Sequence, residues 1–367
     1  MSRLKELEEC GQSVWIDYLK RSFVENGDLR RLIERDGLKG LTSNPSIFEK
    51  AIGEGEEYRQ PLTAFDASRS AMDVYESLAI ADIQSAAAEL RPVYDASKGR
   101  DGYVSLECSP YLANDTEATI AEALRLHAAV DRPNLMVKVP GTPAGVPAIR
   151  HLIGKGVNVN ITLLFAVEAY EQVAEAYIAG LEELQKAGGD ISRMASVASF
   201  FVSRVDTAID AQLKTLSDKQ AAEKLLGKGA IANAKLAYAR YKVLFSGPRW
   251  EKLASAGAKP QRLLWASTSS KNPAFKDTIY VEELIGRDTV NTVPPATLDA
   301  FRDHGVIKPD AIETDVAGAQ AVFAALKEHG VPLGEIMDKL VEDGVKLFSD
   351  AFDKLLCAIE KERGKLQ

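Results

Sequence analysis

Short runs of alternating apolar and polar residues recur along the chain, and each is followed by a longer stretch with the apolar period of a helix. The spacing predicts strands over residues 13–17 (SVWID), 38–45 (LKGLTSNP), 102–110 (GYVSLECSP), 134–140 (NLMVKVP), 157–165 (VNVNITLLF), 194–201 (MASVASFF), 261–270 (QRLLWASTSS) and 288–295 (DTVNTVPP). Helical patterns fill the intervals, beginning with one over 18–37, and the chain from 296 onward reads as helices. Strand–helix alternation implies right-handed βαβ units and a parallel sheet. Eight such units are the count of a closed (β/α)8 TIM barrel of the α/β class. The intervals from Asn44 to Glu107 and from Ser199 to Ser267 have room for an extra helix each. An open doubly wound sheet is the alternative. No linker rich in Pro, Gly or Ser appears, so the expectation is one domain over 1–367, with 296–367 a C-terminal helical region packed on it.

Period-2 alternation sorts each strand into two faces. Ser13, Trp15 and Asp17 oppose Val14 and Ile16; Tyr103, Ser105 and Glu107 oppose Val104 and Leu106. Met136 and Lys138 oppose Leu135, Val137 and Val139, and Asn158, Asn160 and Thr162 oppose Val157, Val159 and Ile161. The apolar face belongs against the helices. The mixed face then points into the barrel, with its last polar residue at the mouth, where barrel enzymes place their chemistry. That mouth gathers Asp17, Asn44, Glu107, Lys138, Thr162, Ser199, Ser267 and Thr292.

Lys138 is the anomaly in this set. A charged ammonium in an apolar strand is costly unless it is paired or loses its proton. A desolvated lysine is more often neutral and nucleophilic, and attacks a ketone carbonyl to form an iminium. Proton transfers then need a carboxyl group, here Glu107 or Asp17. Such chemistry needs neither a metal nor an organic cofactor. The plainer readings stand beside it. Lys138 snorkels to solvent, with Asp17 and Glu107 as structural partners. Asn44 before Pro45 starts a turn, Asn158 and Asn160 cap loop backbone, and Ser199 and Ser267 are small core residues. Periodicity alone leaves both open.

Composition narrows the class. With 46% hydrophobic and 27% charged residues the chain is ordinary globular material. A net charge of −8 without a long basic run argues against nucleic acid or an anionic membrane surface as the partner. Cys10, Cys108 and Cys357 are too widely spaced for a metal motif, and a sparse, odd count fits a reduced compartment. The charged start lacks an apolar signal region and no run reaches membrane-span length, so a cytoplasmic location is expected. His127, His151, His304 and His329 have no spaced partners, and P-loop, GxGxxG and GxSxG motifs are absent.

The strings GLTSNPSIFEKAI, NLMVKVPGTPAGVPAI, GVNVNITLLFAVEAY and SVASFFVSRVD resemble the transaldolases, in that family's order, from about Gly11 to the C-terminal helices. The likeness is strongest to the long bacterial branch. It implies a dihydroxyacetone transfer from sedoheptulose 7-phosphate to glyceraldehyde 3-phosphate in the pentose phosphate pathway, with sugar phosphates as partners. Lys138 matches the Schiff-base lysine, Asp17 the proton-transferring aspartate, and Glu107 with Thr162 the pair that holds water. Asn44 and Asn160 match hydroxyl binders, Ser199 a substrate contact, and Arg204 a phosphate-gripping arginine. Phe201 stands where relatives that release free dihydroxyacetone from fructose 6-phosphate carry tyrosine. It therefore favours transfer over that aldolase reaction; a non-catalytic sugar-phosphate-binding barrel is the remaining rival. One departure concerns the phosphate. The second arginine that the family carries after the serine matched by Ser267 is missing in WASTSSKNP, leaving Lys271, Ser269 or Ser270 to replace it. The family also implies a monomer or homodimer.

Overall fold

The computed structural model describes residues 2–66 and 68–366; positions 1 and 367 of the expected domain lie outside the described residues. Eight strands form the sheet: β1 (Gln12–Asp17), β2 (Gly40–Thr42), β3 (Tyr103–Glu107), β4 (Leu135–Pro140), β5 (Val159–Leu164), β6 (Ser196–Phe201), β7 (Arg262–Ala266) and β8 (Thr289–Val293). Each pairs in parallel with the next, and β8 returns to β1, so the sheet closes into a barrel in sequence order. All eight predicted strands are present, and the open-sheet alternative is excluded by the β1–β8 pairing.

The apolar strand face is buried against the surrounding helices, with Val104, Leu135, Val137, Val139, Val159 and Ile161 at 0% exposure. Each such side chain contributes about 1.5–3 kcal/mol when fully buried. The inward face fills the barrel. Trp15 occupies its lower interior, and its register partner Gly40 leaves the space: a Cβ there would lie 2.5 Å from the indole. Beside it, Asp101 accepts hydrogen bonds from Trp15 Nε1 (3.1 Å), Ser13 Oγ (2.8 Å) and Arg262 (3.0 Å). This satisfied polar cluster plugs the end away from the mouth. Asn158 belongs to that end too: its Oδ1 accepts from Ala195 N at 2.9 Å, which is the backbone-capping role.

Two helical expectations change in detail, and the helices expected beyond β8 are present. The pattern over 18–37 divides into helices Arg21–Glu25 and Asp28–Asp36, because Gly27 adopts a left-handed φ of 73° between them. The stretch up to Phe245 comprises three helices: Ser203–Leu213, Lys219–Leu225 and Gly229–Leu244. Asp206, on the first of them, accepts from Ala230 N of the third (2.7 Å) and from Tyr280 Oη (2.6 Å). Beyond β8 come helices Pro295–His304, Val316–Glu328 and the long Leu333–Leu366. The last lays Phe348, Phe352, Leu355 and Ile359 against the barrel and against helices Pro45–Glu54 and Ala71–Ala96. Its outer face carries i,i+4 pairs Lys339–Asp343 and Lys346–Asp350. Among the described residues no helix is long and apolar enough to cross a membrane.

Candidate active site

The strand ends converge on a cavity of about 200 Å³ at the mouth. Asp17, Asn44, Lys138, Thr162, Ser199, Phe201, Arg204, Ser267 and Lys271 all line it. Glu107 and Asn160 stand behind that lining. None of the four histidines reaches the cavity wall.

Lys138 projects inward from β4 and is only 5% exposed, so it does not snorkel. Its Nζ donates to the carbonyl of Ser43 (3.1 Å) and lies 3.3 Å from Glu107 Oε2, an ion-pair contact without hydrogen-bond alignment. Burial pushes the Glu107 carboxyl above its ordinary value, outweighing the neighbouring ammonium, and the negative charge of Asp17 pushes the same way. Thr162 Oγ1 is buried without a hydrogen-bond partner among the described residues. An unpaired hydroxyl at a cavity wall is a ready water or substrate contact.

Asp17 closes β1. Thr42 Oγ1 donates to its Oδ1 at 2.6 Å, and the Thr42 and Thr292 hydroxyls lie 2.8 Å apart. Among the described residues Oδ2 accepts no hydrogen bond, and Asp17 lines the cavity. Burial raises this carboxyl too, against the pull of Lys138 and Thr42.

Behind the lysine a string of hydroxyls fixes Asn160. Its Nδ2 donates to Ser105 Oγ (3.0 Å) and its Oδ1 accepts from Ser199 Oγ (2.7 Å). Asn44 stands where a cavity wall and a helix start meet. It lines the cavity, and its Oδ1 caps helix Pro45–Glu54 by accepting from Ile47 N at 3.1 Å.

Arg204 sits in the first turn of helix Ser203–Leu213. Its guanidinium lies 5.2 Å from the centre of the Phe201 ring and has no hydrogen bond or ion pair among the described residues. Burial alone pulls its pKa below the ordinary arginine value. A desolvated cation without an anion, beside a helix N-terminus, is an anion site in waiting. Ser267, forced to a left-handed φ of 55° just after β7, turns its hydroxyl to within 2.9 Å of Ser203 Oγ. Lys271 donates to Ser269 Oγ at 2.8 Å, and both line the cavity. Ser270 instead donates to Asn272 O, away from it.

Phe201 packs 5.1 Å from Phe165 and presents no hydroxyl. Residues to which the sequence reading gave no role are Thr42, Ser203 and Phe348. Thr42 was within reach of the alternation argument, since it shares a face of β2 with Gly40 and lies two residues before Asn44. Among the described residues no three His, Cys, Asp or Glu side chains form a metal-holding group.

A family model described as transaldolase/fructose-6-phosphate aldolase matches residues 14–359. The chain is 49% identical to a transaldolase of Parafrankia sp. over 98% of both chains, and 46% identical to a transaldolase of Trichodesmium erythraeum over 100% of this chain and 98% of that one. It is 49% identical to transaldolase 1 of Streptomyces coelicolor, over 98% and 94%. A match of that extent, on a closed barrel with a buried lysine at its mouth, carries its own conclusion: the chain belongs to the transaldolase/fructose-6-phosphate aldolase family.

Proposed function

We propose that the chain transfers a dihydroxyacetone unit from sedoheptulose 7-phosphate to glyceraldehyde 3-phosphate, giving erythrose 4-phosphate and fructose 6-phosphate through a Schiff base on Lys138. The carrying observation is the buried Lys138 amine, 3.3 Å from Glu107, at the wall of a cavity that also presents an unpaired Arg204.

The amine attacks the ketose C2, and loss of water leaves an iminium. Glu107 takes and returns the protons of that step, with Thr162 holding the water. Asp17 Oδ2 removes the proton of the C4 hydroxyl, the C3–C4 bond breaks, and its electron pair moves into the iminium to give an enamine. The aldose phosphate leaves. The enamine C3 then attacks the acceptor aldehyde, Asp17 returns its proton, and water releases the new ketose. Raised carboxyl pKa values suit Asp17 and Glu107 to exchange protons near neutral pH. Asn44, Asn160 and Ser199 bind hydroxyls of the three-carbon unit. Arg204, the Ser203 end of its helix, Ser267, Ser269 and Lys271 bind the phosphate, Lys271 acting as a point charge where a second guanidinium is missing.

Borohydride reduction in the presence of fructose 6-phosphate, followed by peptide mapping, tests the mechanism. A three-carbon adduct is expected on Lys138, and none in a folded, inactive Lys138→Met variant. An adduct on another amine, or activity in that variant, refutes it. Rates with and without an aldose acceptor separate transfer from release of free dihydroxyacetone. Phe201, with no hydroxyl to orient water, predicts that release is slow.

A further inference from the structure

One wall of the cavity comes from outside the barrel. Phe348, on helix Leu333–Leu366, lines it, is 7% exposed, and centres its ring 5.7 Å from Lys138 Nζ. Its position is set on both sides along the same helical face. One turn earlier, Gly344 meets Leu163 so closely that an added Cβ would lie 2.7 Å from Leu163 Cδ2. One turn later, Phe352 packs edge-on with Tyr75 (5.2 Å) and Tyr111 (5.5 Å). Leu163 itself has a left-handed φ of 60°, at the point where the β5–β6 register shifts. The helix therefore cannot slide or rotate without disturbing these contacts.

We propose that Phe348 is a specificity-determining residue: it keeps stray water from the enamine on Lys138 and so commits the three-carbon unit to an aldose acceptor. The inference rests on the Schiff-base reading above. Release and transfer diverge at the enamine. For release, C3 takes a proton, giving the iminium; a water oxygen then adds to C2 and gives up its proton to a base. The C2–N bond breaks, nitrogen keeps the electron pair, and dihydroxyacetone leaves. For transfer, C3 bonds instead to the acceptor aldehyde carbon. Both branches end in hydrolysis of an iminium at C2, so they differ only at C3: an apolar ring beside the enamine, offering neither a proton nor a site for a proton-donating water, slows the C3 protonation that leads to release and leaves carbon–carbon bond formation alone. Phe201 limits water from β6; Phe348 does so from the C-terminal helix, through a separate set of contacts.

The test measures dihydroxyacetone release from fructose 6-phosphate without acceptor, and transfer with erythrose 4-phosphate, in the parent chain and three variants. In Phe348→Ala and Phe348→Tyr the release-to-transfer ratio is expected to rise about tenfold or more. In Phe348→Leu, which stays apolar, it is expected to stay near the parent value. A loss of fold or of lysine geometry lowers both rates together and leaves the ratio alone. Should the alanine variant not fold, the tyrosine variant, which keeps the ring, decides. A ratio unchanged in the folded variants, with borohydride still trapping the adduct on Lys138, overturns the proposal. If no adduct forms on Lys138 in the parent chain, the Schiff-base reading fails first and this inference falls with it.

Discussion

Removing the Arg204 guanidinium probes the phosphate end of the cavity. Burial takes this cation out of water, and no anion among the described residues pairs with it. A substrate phosphate supplies one, with two parallel N–H···O bonds available to the planar fork. Hydrogen bonds to charged groups contribute about 1.5–3 kcal/mol each. Lys271 and the serines retain part of the grip, so Arg204→Ala should cost about 3–4 kcal/mol, two to three orders of magnitude in kcat/KM for fructose 6-phosphate. Arg204→Lys keeps the charge and loses the fork, and should fall between. The deciding comparison is fructose without its phosphate, on which Arg204→Ala should have little effect. Steady-state kinetics on both ketoses give a double-mutant cycle in which one partner is the substrate's phosphate. Equal losses on both substrates would refute the assignment and make Arg204 a scaffold residue. Thermal denaturation adds an independent reading. Because the guanidinium is desolvated and unpaired, Arg204→Met should leave Tm unchanged or raise it. A destabilisation above about 1 kcal/mol would mean that the guanidinium stabilises the fold.

Two further perturbations reach other parts of the structure. Ser199→Ala removes the donor that holds Asn160 Oδ1; stability should fall by about 1–3 kcal/mol and kcat should drop, and a variant as stable as the parent would show that water replaces the serine. Burial raises the Asp206 carboxyl from 3.8 to about 6. The folded state therefore keeps this proton where the unfolded chain has lost it. The stability this confers is complete below about pH 4 and disappears as pH rises through 6, a change of about 3 kcal/mol. Asp206→Asn should flatten that part of the stability–pH curve in denaturant titrations, and parallel curves for the two proteins would assign the slope to another group.

Most of the site was legible because buried strands obey a simple rule. Alternation separated Lys138 from Val137 and Val139, and Glu107 from Leu106, and the inward sets met at the mouth as the topology required. Alternation gives a face but not a depth. It therefore put Asn158 with Asn160 and Thr162, although Asn158 caps backbone at the opposite end while Asn160 is held by Ser105 and Ser199. The break at Gly27 depended on one left-handed residue inside an otherwise helical pattern. Phe348 was illegible for a stronger reason. A helical period says which residues share an apolar face, and nothing in it says that the face meets a buried lysine more than two hundred positions away.

Barrel closure has a temporal side. β1 finds its second neighbour only in β8, so the first strand to emerge from the ribosome must wait for nearly the last part of the sheet. A nascent chain that has just completed β8 holds Lys138, Glu107, Asp17 and Arg204, yet helix Leu333–Leu366 has still to be made. Until it docks, the Lys138 amine has one side open. The order of translation thus completes the barrel mouth before the ring proposed to guard it has been made.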